Sequence, residues 1–212
     1  MHRRLGTGPP SAVDWYHRAG SGFEDALMTE ADSIAWDHST AFAPDRVVRL
    51  VATDGYQVHR LIYEVLAKDG VRDFLFAPFP AAGGLHAVLV RSCDARTSFA
   101  EGQRFRMTLR AMPSVKMAGR RRSIGAARSK DSLRLRWLHA RARDNGFTLL
   151  SEPEMRVERV RMEEAKIPFA FNACIYRAPI RITEPEKFTR AYVRGLGQGR
   201  AWGCGMIVLR DT

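Results

Sequence analysis

The spacing of apolar residues predicts a chain of short strands interrupted by three helices. Residues 47–52 (Val-Val-Arg-Leu-Val-Ala) are short and β-branched and read as a strand. Over 56–68, Val58, Leu61, Ile62, Val65 and Leu66 recur at the i, i+3, i+4, i+7, i+8 spacing of one buried helical face. Thr53, Asp54 and Gly55 before it carry turn and N-cap chemistry, and Asp69-Gly70 closes it. Residues 72–77 and 84–90 read as strands joined by a Pro/Gly turn. Residues 104–110 alternate polar and apolar, which predicts a half-buried strand with one basic face. Residues 129–145 read as a helix with Leu133, Trp137 and Leu138 on one side. Strands follow at 147–150, 155–163 and 169–182, then a helix at 185–194 with Phe188, Ala191 and Tyr192 inward, and a last strand at 206–209.

The order β-α-β-β-(loop)-β, followed by a second mixed half, predicts an α+β chain of two tandem ferredoxin-like folds. On this reading residues 1–45 are an N-terminal extension and 46–115 the first ferredoxin-like domain. Residues 116–145 are a basic loop-and-helix insertion, and 146–212 the second domain, ending in a glycine-rich loop and a strand.

Composition narrows the class. The 212 residues suffice for one large domain or two small ones. No apolar run approaches the ~20 residues that span a bilayer, and the first residues lack a secretory h-region, so a cytoplasmic protein without a membrane partner is expected. Three cysteines, Cys93, Cys174 and Cys204, are odd in number and far apart, which argues against a disulfide framework or a zinc site. The net charge of +11 points to a polyanion. Its distribution says more: residues 1–45 hold three arginines against seven acidic residues, whereas 104–143 hold thirteen Arg or Lys against Asp131 alone. A merely solvated surface would mix its signs. Nucleic acid is the expected partner, held by Arg104, Arg106, Arg110, Arg120, Arg121, Arg122, Arg128, Lys130, Arg134 and Arg141.

Two constellations carry candidate chemistry. The stretch 195–205 holds Gly195, Gly197, Gly199, Gly203 and Gly205. Its order is helix, glycines, strand, the reverse of a dinucleotide-binding loop. It serves either as a helix C-cap and turn or as a loop whose N–H groups approach an anion; Arg200, its one basic side chain, is a further candidate RNA contact. On the first helix, at about 100° per residue, Tyr56, His59 and Tyr63 lie on a flank beside the buried stripe. Spacing alone fits a satisfied core-edge histidine as well as a reactive one. RNA as partner changes that weighting, because RNA brings its own nucleophile. The 2′-OH needs a base, the leaving 5′-oxygen an acid, and the phosphoryl oxygens positive charge; histidine serves either proton transfer. No cofactor and no metal are expected, since no ligand cluster or carboxylate pair stands at the right spacing.

Four segments occur in the order found in one family: Tyr56-Gln-Val-His-Arg-Leu-Ile-Tyr63, Arg72-Asp-Phe-Leu-Phe76, Arg106-Met-Thr-Leu-Arg-Ala-Met-Pro-Ser-Val-Lys116, and Gly195-Leu-Gly-Gln-Gly-Arg-Ala-Trp-Gly-Cys-Gly-Met206. Over residues 46–212 the chain thus resembles the CasE family of CRISPR repeat-RNA endoribonucleases, within the Cas-six superfamily. The resemblance implies metal-independent cleavage at the base of a repeat hairpin, leaving a 2′,3′-cyclic phosphate and a 5′-OH. It implies His59 as the catalytic histidine, Tyr56 as its helper, and a glycine loop lying against the first domain and the RNA. It also implies a protein that is monomeric when free and that stays with its product inside a CRISPR effector complex. The supporting cation is left between Lys116 and Arg200. Residues 1–45 have no counterpart in the family pattern, and 116–145 is unusually rich in arginine. Two other readings fit the charge: an RNA-binding structural subunit without turnover, and a DNA-binding regulator using helix 129–145. The arginines surround that helix instead of forming one stripe, which disfavours insertion into a groove.

Overall fold

The structure is a computed structural model. It describes residues 45–52, 54–66, 73–80, 85–93, 97–163 and 165–212, all within one compact unit spanning 40–212. The expected extension 1–45 lies outside the described residues, apart from Asp45.

The first half is β1 (Arg46–Val51), α1 (Gly55–Leu66), β2 (Phe74–Pro80) and β3 (Leu85–Ser92). The strands pair antiparallel in the order β1-β3-β2. Pro78 and Pro80 are tolerated because β2 is an edge strand. Asp54 caps α1 as its sequence suggested: Oδ1 accepts from the Gln57 N–H at 2.9 Å, and Oδ2 accepts from the Glu163 N–H at 2.6 Å. Val58 and Ile62 of α1 are buried against Phe74, Phe76, Val88 and Val90.

The second half is β4 (Arg104–Ala111), β5 (Ser114–Met117), β6 (Arg120–Ser123), α2 (Asp131–Asp144), β7 (Phe147–Leu149), β8 (Glu154–Met162), β9 (Phe169–Ile182), α3 (Pro185–Arg194) and β10 (Ile207–Arg210). Its sheet runs β10-β4-β9-β7, with β8 also paired to the long strand β9. β7 and β8 share the β9 edge away from β4. The unit β4-α2-β7/β8-β9-α3-β10 is therefore a β-α-β-β-α-β fold. The chain is an α+β protein of two tandem ferredoxin-like folds, the first seen among the described residues as its β-α-β-β part.

This pairing corrects two expectations. Strand 104–110 was expected in the first half, but β4 lies between β9 and β10 of the second sheet. Alternation shows which side chains are buried, not which strand lies alongside. Helix 129–145 was expected inside an insertion, but α2 is a crossover helix of the second fold. Its Arg134, Leu138 and Ala142 are buried, and the last two join the core with Phe105, Met107, Leu109, Tyr176, Ile180, Phe188 and Tyr192. What is inserted between β4 and α2 is the β5–β6 hairpin and its connector. The hairpin turns at Ala118 and Gly119, both at positive φ (47° and 76°), as a two-residue primed turn requires.

Both helices of the second fold cover one face of its sheet. At one end of the other face, Met162, Phe171 and Ala173 of the sheet cluster with Cys204, and Tyr56 of α1 and Trp202 of the glycine loop pack against them. The two halves are also clasped by Arg91 of β3, which is fully buried. Its guanidinium donates to both Asp45 carboxylate oxygens (2.8 and 2.7 Å) and to the carbonyls of Tyr192 (2.8 Å) and Ile207 (3.0 Å). It also lies 3.5 Å over the Tyr192 ring. Among the described residues no helix is long and apolar enough to cross a membrane.

The clasp gives a stability prediction. Asp45→Asn leaves a buried guanidinium without its counter-charge, so unfolding should cost about 3 kcal/mol less than in the native chain. A denaturant midpoint unchanged from native would contradict this.

Candidate active site

The site forms where the loop between α3 and β10 meets α1. Gly195 caps α3 through its N–H to the Ala191 carbonyl at 2.8 Å. The loop then folds back on itself: Leu196 N–H to Gly205 O at 2.7 Å, Trp202 N–H to Gly199 O at 2.8 Å, Cys204 N–H to Gly199 O at 3.1 Å. Gly205 N–H reaches the Arg110 carbonyl at 2.7 Å and so ties the loop to β4. All five glycines of the loop have positive φ. The requirement is sharpest at Gly203 (φ 72°), where an added Cβ would lie 2.4 Å from the Pro78 ring and 3.0 Å from Phe76. A side chain there would push the loop off β2.

That placement brings the Ala201 carbonyl to 2.7 Å from His59 Nδ1. A carbonyl oxygen only accepts, so Nδ1 carries the proton. In the neutral ring, Nε2 is then the basic nitrogen. The imidazole is half-buried between two rings, with centroids 4.3 Å from Tyr63 and 4.3 Å from Trp202. Tyr56 stands 6.2 Å from His59 and 6.5 Å from Trp202. Phe169, at the start of β9, meets the indole edge-on at 5.2 Å. Tyr56, His59 and the glycine loop are thus brought together, as expected. Trp202 was not singled out from sequence; its only signal was an aromatic residue inside a glycine run.

Arg110 holds this arrangement from below. Nε donates to Glu158 Oε1 at 2.5 Å, and Nη1 reaches the carbonyls of Trp202 (3.1 Å) and Gly203 (3.3 Å), next to Ala201. Cys204, wedged behind, has its thiol pushed up to about 11 by burial and is no nucleophile at neutral pH.

The expected cationic residues fall into three groups. Lys116, Arg120 and Arg122 are exposed on the β5–β6 hairpin and Lys130 on its connector, while the side chains of Arg121 and Arg128 lie outside those described. Arg104 and Arg106 are exposed on the sheet face opposite the helices. The others have partners within the protein. Arg110 is the brace just described. Arg134, expected to grip phosphate, is fully buried; its guanidinium donates to Asp131 and to the carbonyls of Ala127 and Gly125, fixing the connector to α2. Arg141 pairs with Asp144 at 3.1 Å. Arg200 Nη1 donates to the Arg194 carbonyl at 2.8 Å, capping α3.

Gly203→Ala tests the seating of the loop. Strain at positive φ together with the Pro78 contact should lower stability by about 1–3 kcal/mol. The nitrogen NMR signals of His59 should change from a single Nδ1–H tautomer to a mixture. A variant with native signals would show that the loop does not depend on close approach at Gly203.

The CRISPR associated protein family matches residues 85–211. The CRISPR-associated endoribonuclease Cse3 of Thermus thermophilus is 27% identical over 118 residues, 50% of this chain and 55% of that protein. The match therefore spans about half the length of that curated relative. Among solved structures, Thermus thermophilus Cse3 bound to an RNA representing a pre-cleavage complex superposes with a TM-score of 0.59 at 20% identity, covering 78% of this chain and 98% of that one. A chain of a CRISPR RNA-guided surveillance complex does so with a TM-score of 0.57 at 18% identity, covering 78% and 99%. A family match over more than half the chain, together with the same fold, makes this protein a member of the CRISPR-associated protein family.

Proposed function

We propose that the protein is a cytoplasmic endoribonuclease that cleaves CRISPR precursor RNA at the base of the repeat hairpin and keeps the product. The observation that carries this reading is the Nδ1–H of His59 fixed on the Ala201 carbonyl, which makes Nε2 the basic nitrogen of the neutral ring. The name of the Thermus thermophilus relative, an endoribonuclease, supports it. So does the RNA in a pre-cleavage complex on the same fold.

The chemistry needs no group beyond the chain and the RNA. His59 Nε2 takes the proton of the 2′-OH, and the 2′-oxygen attacks the adjacent phosphorus. The P–O5′ bond breaks, and the leaving 5′-oxygen takes a proton from the imidazolium of His59 or from water. The products are a 2′,3′-cyclic phosphate and a 5′-OH. The Tyr56 hydroxyl orients the 2′-OH or a phosphoryl oxygen. Of the two candidate cations, Arg200 is occupied with the end of α3, whereas Lys116 is exposed on the hairpin with no ion-pair partner among the described residues. That supports Lys116 as the candidate for the developing phosphoryl charge. The β5–β6 hairpin, with Arg120, Arg121 and Arg122, grips the RNA stem through its phosphates and A-form shape. Other subunits of a CRISPR effector complex are the expected protein partners, as for the relative found in a surveillance complex.

A second reading has one observation in its favour. His59 is flanked closely by Tyr63 and Trp202, as a purely structural histidine would be. A binding subunit without turnover would then hold the RNA intact.

Labelled repeat RNA incubated with protein and excess EDTA separates the two: site-specific cleavage is expected, and tight binding of uncut RNA would overturn the enzyme reading. His59→Ala should slow single-turnover cleavage by about 10²- to 10⁴-fold. It should leave hairpin affinity nearly unchanged, because no phosphate charge is lost. Replacing Arg120, Arg121 and Arg122 together by Ala should do the reverse. Affinity should fall steeply, and the slope of log K against log salt should become shallower by about 2–3.

A further inference from the structure

The open end of the second sheet carries a charge arrangement that the fold itself does not require. On the face opposite α2 and α3, Arg104 of β4 stands directly across from Arg181 of β9, and Arg106 directly across from Arg210 of β10. Thr108, next along β4, faces Arg177. Arg156 of β8 lies on the same face, opposite Ile175. Directly opposed side chains on one face sit about 5 Å apart at Cβ, and like charges in that position are destabilising.

The carboxylates that could offset them are few. Glu158 is taken by Arg110, and Glu154, opposite Arg177, is the other acidic side chain that the strand register places on this face. Arg104, Arg106, Arg156, Arg177 and Arg181 are exposed, and none is in an ion pair among the described residues. Burial and the charge of Arg177 together lower the pKa of Arg210, a sign of how crowded the cations are. The rest of this end is Thr108, Thr148, Ile175, Pro179 and the buried Val208, with no aromatic ring for a base to stack on. Such a surface suits a phosphate backbone, not bases.

Its position matters as much as its charge. Arg110 lies on the same face of β4, two residues beyond Thr108, and hydrogen-bonds the Trp202 and Gly203 carbonyls beside Ala201. The arginines therefore lead away from the loop that seats His59. The β5–β6 hairpin is a separate two-stranded ribbon outside this sheet.

We propose that this face is a second RNA-binding surface, a guanidinium track that takes the phosphate backbone of the single-stranded RNA flanking the repeat hairpin. The proposal rests on the RNA-processing reading above for the identity of its polyanion.

The test uses the full chain and the variant Arg156→Gln, Arg177→Gln, Arg181→Gln. Each protein is titrated with the minimal repeat hairpin and with the same hairpin carrying an eight-nucleotide extension on its 5′ or its 3′ side. The native chain should bind at least one extended RNA about tenfold more tightly than the hairpin, and the variant should lose that increment. Its salt slope for the extended RNA should be shallower by about 2, at 0.7 per phosphate of a single strand. The variant should bind the hairpin as the native chain does and melt at or above the native temperature, because it relieves repulsion. A native chain that binds the hairpin but gains nothing from either extension overturns the track alone. A variant that loses hairpin affinity overturns it too, by assigning the face to the stem. A native chain that does not bind the hairpin fails earlier, at the proposed function.

Discussion

The site depends on one hydrogen bond between two parts of the chain 142 residues apart, from His59 Nδ1 to the Ala201 carbonyl. A carboxylate in that place would also fix the tautomer. On the proposed function it would add negative charge beside a substrate that is a polyanion. A backbone carbonyl fixes the same proton without that charge. Its cost lies elsewhere, because a carbonyl can be aimed only by aiming the loop that contains it. Hence the loop is braced from three sides: α3 ends in it, the β4 backbone bonds it through Gly205, and Arg110 holds two of its carbonyls while Glu158 holds Arg110. Gly203 lets it lie against Pro78.

Arginine serves two incompatible purposes here, and local sequence does not separate them. Arg91, Arg110 and Arg134 spend their donors on carbonyls and carboxylates inside the protein. The fork of five N–H groups suits that task, since one side chain can satisfy several fixed acceptors at once. Arg120 and Arg122 present the same group to solvent on a hairpin. Arg134 lies within the most basic stretch of the chain, yet it is fully buried, because the Gly125 and Ala127 carbonyls need a donor where the connector turns into α2. Backbone acceptors at turns leave no mark on composition, so a count of charge over 104–143 overstates what is free to meet a ligand.

What was legible in the sequence was what local period encodes. The buried stripe of α1, the inward residues Phe188, Ala191 and Tyr192 of α3, and the Asp54 cap were all readable from spacing and residue type. The Tyr56–His59 flank and the glycine loop were readable as candidates, and their meeting followed from the family resemblance. Strand partnership was not readable. β4 shows its basic face in its alternation, but its place between β9 and β10 is decided by which apolar faces close the larger core. The same limit hid Arg177, Arg181 and Arg210. Each looks like an ordinary exposed position in its own strand, and only the register sets Arg181 across from Arg104 and Arg210 across from Arg106.

The construction separates chemistry from capture. His59 is oriented by a neutral carbonyl and by packed rings, interactions that salt screens little. The cations that meet solvent stand on the hairpin and on the open sheet face, where screening is strongest. On the proposed function, ionic strength should therefore act on how much RNA is held and leave the geometry around His59 intact. Such a division would suit the proposed retention of the product: surfaces that hold RNA can be strongly charged without that charge setting the tautomer of His59.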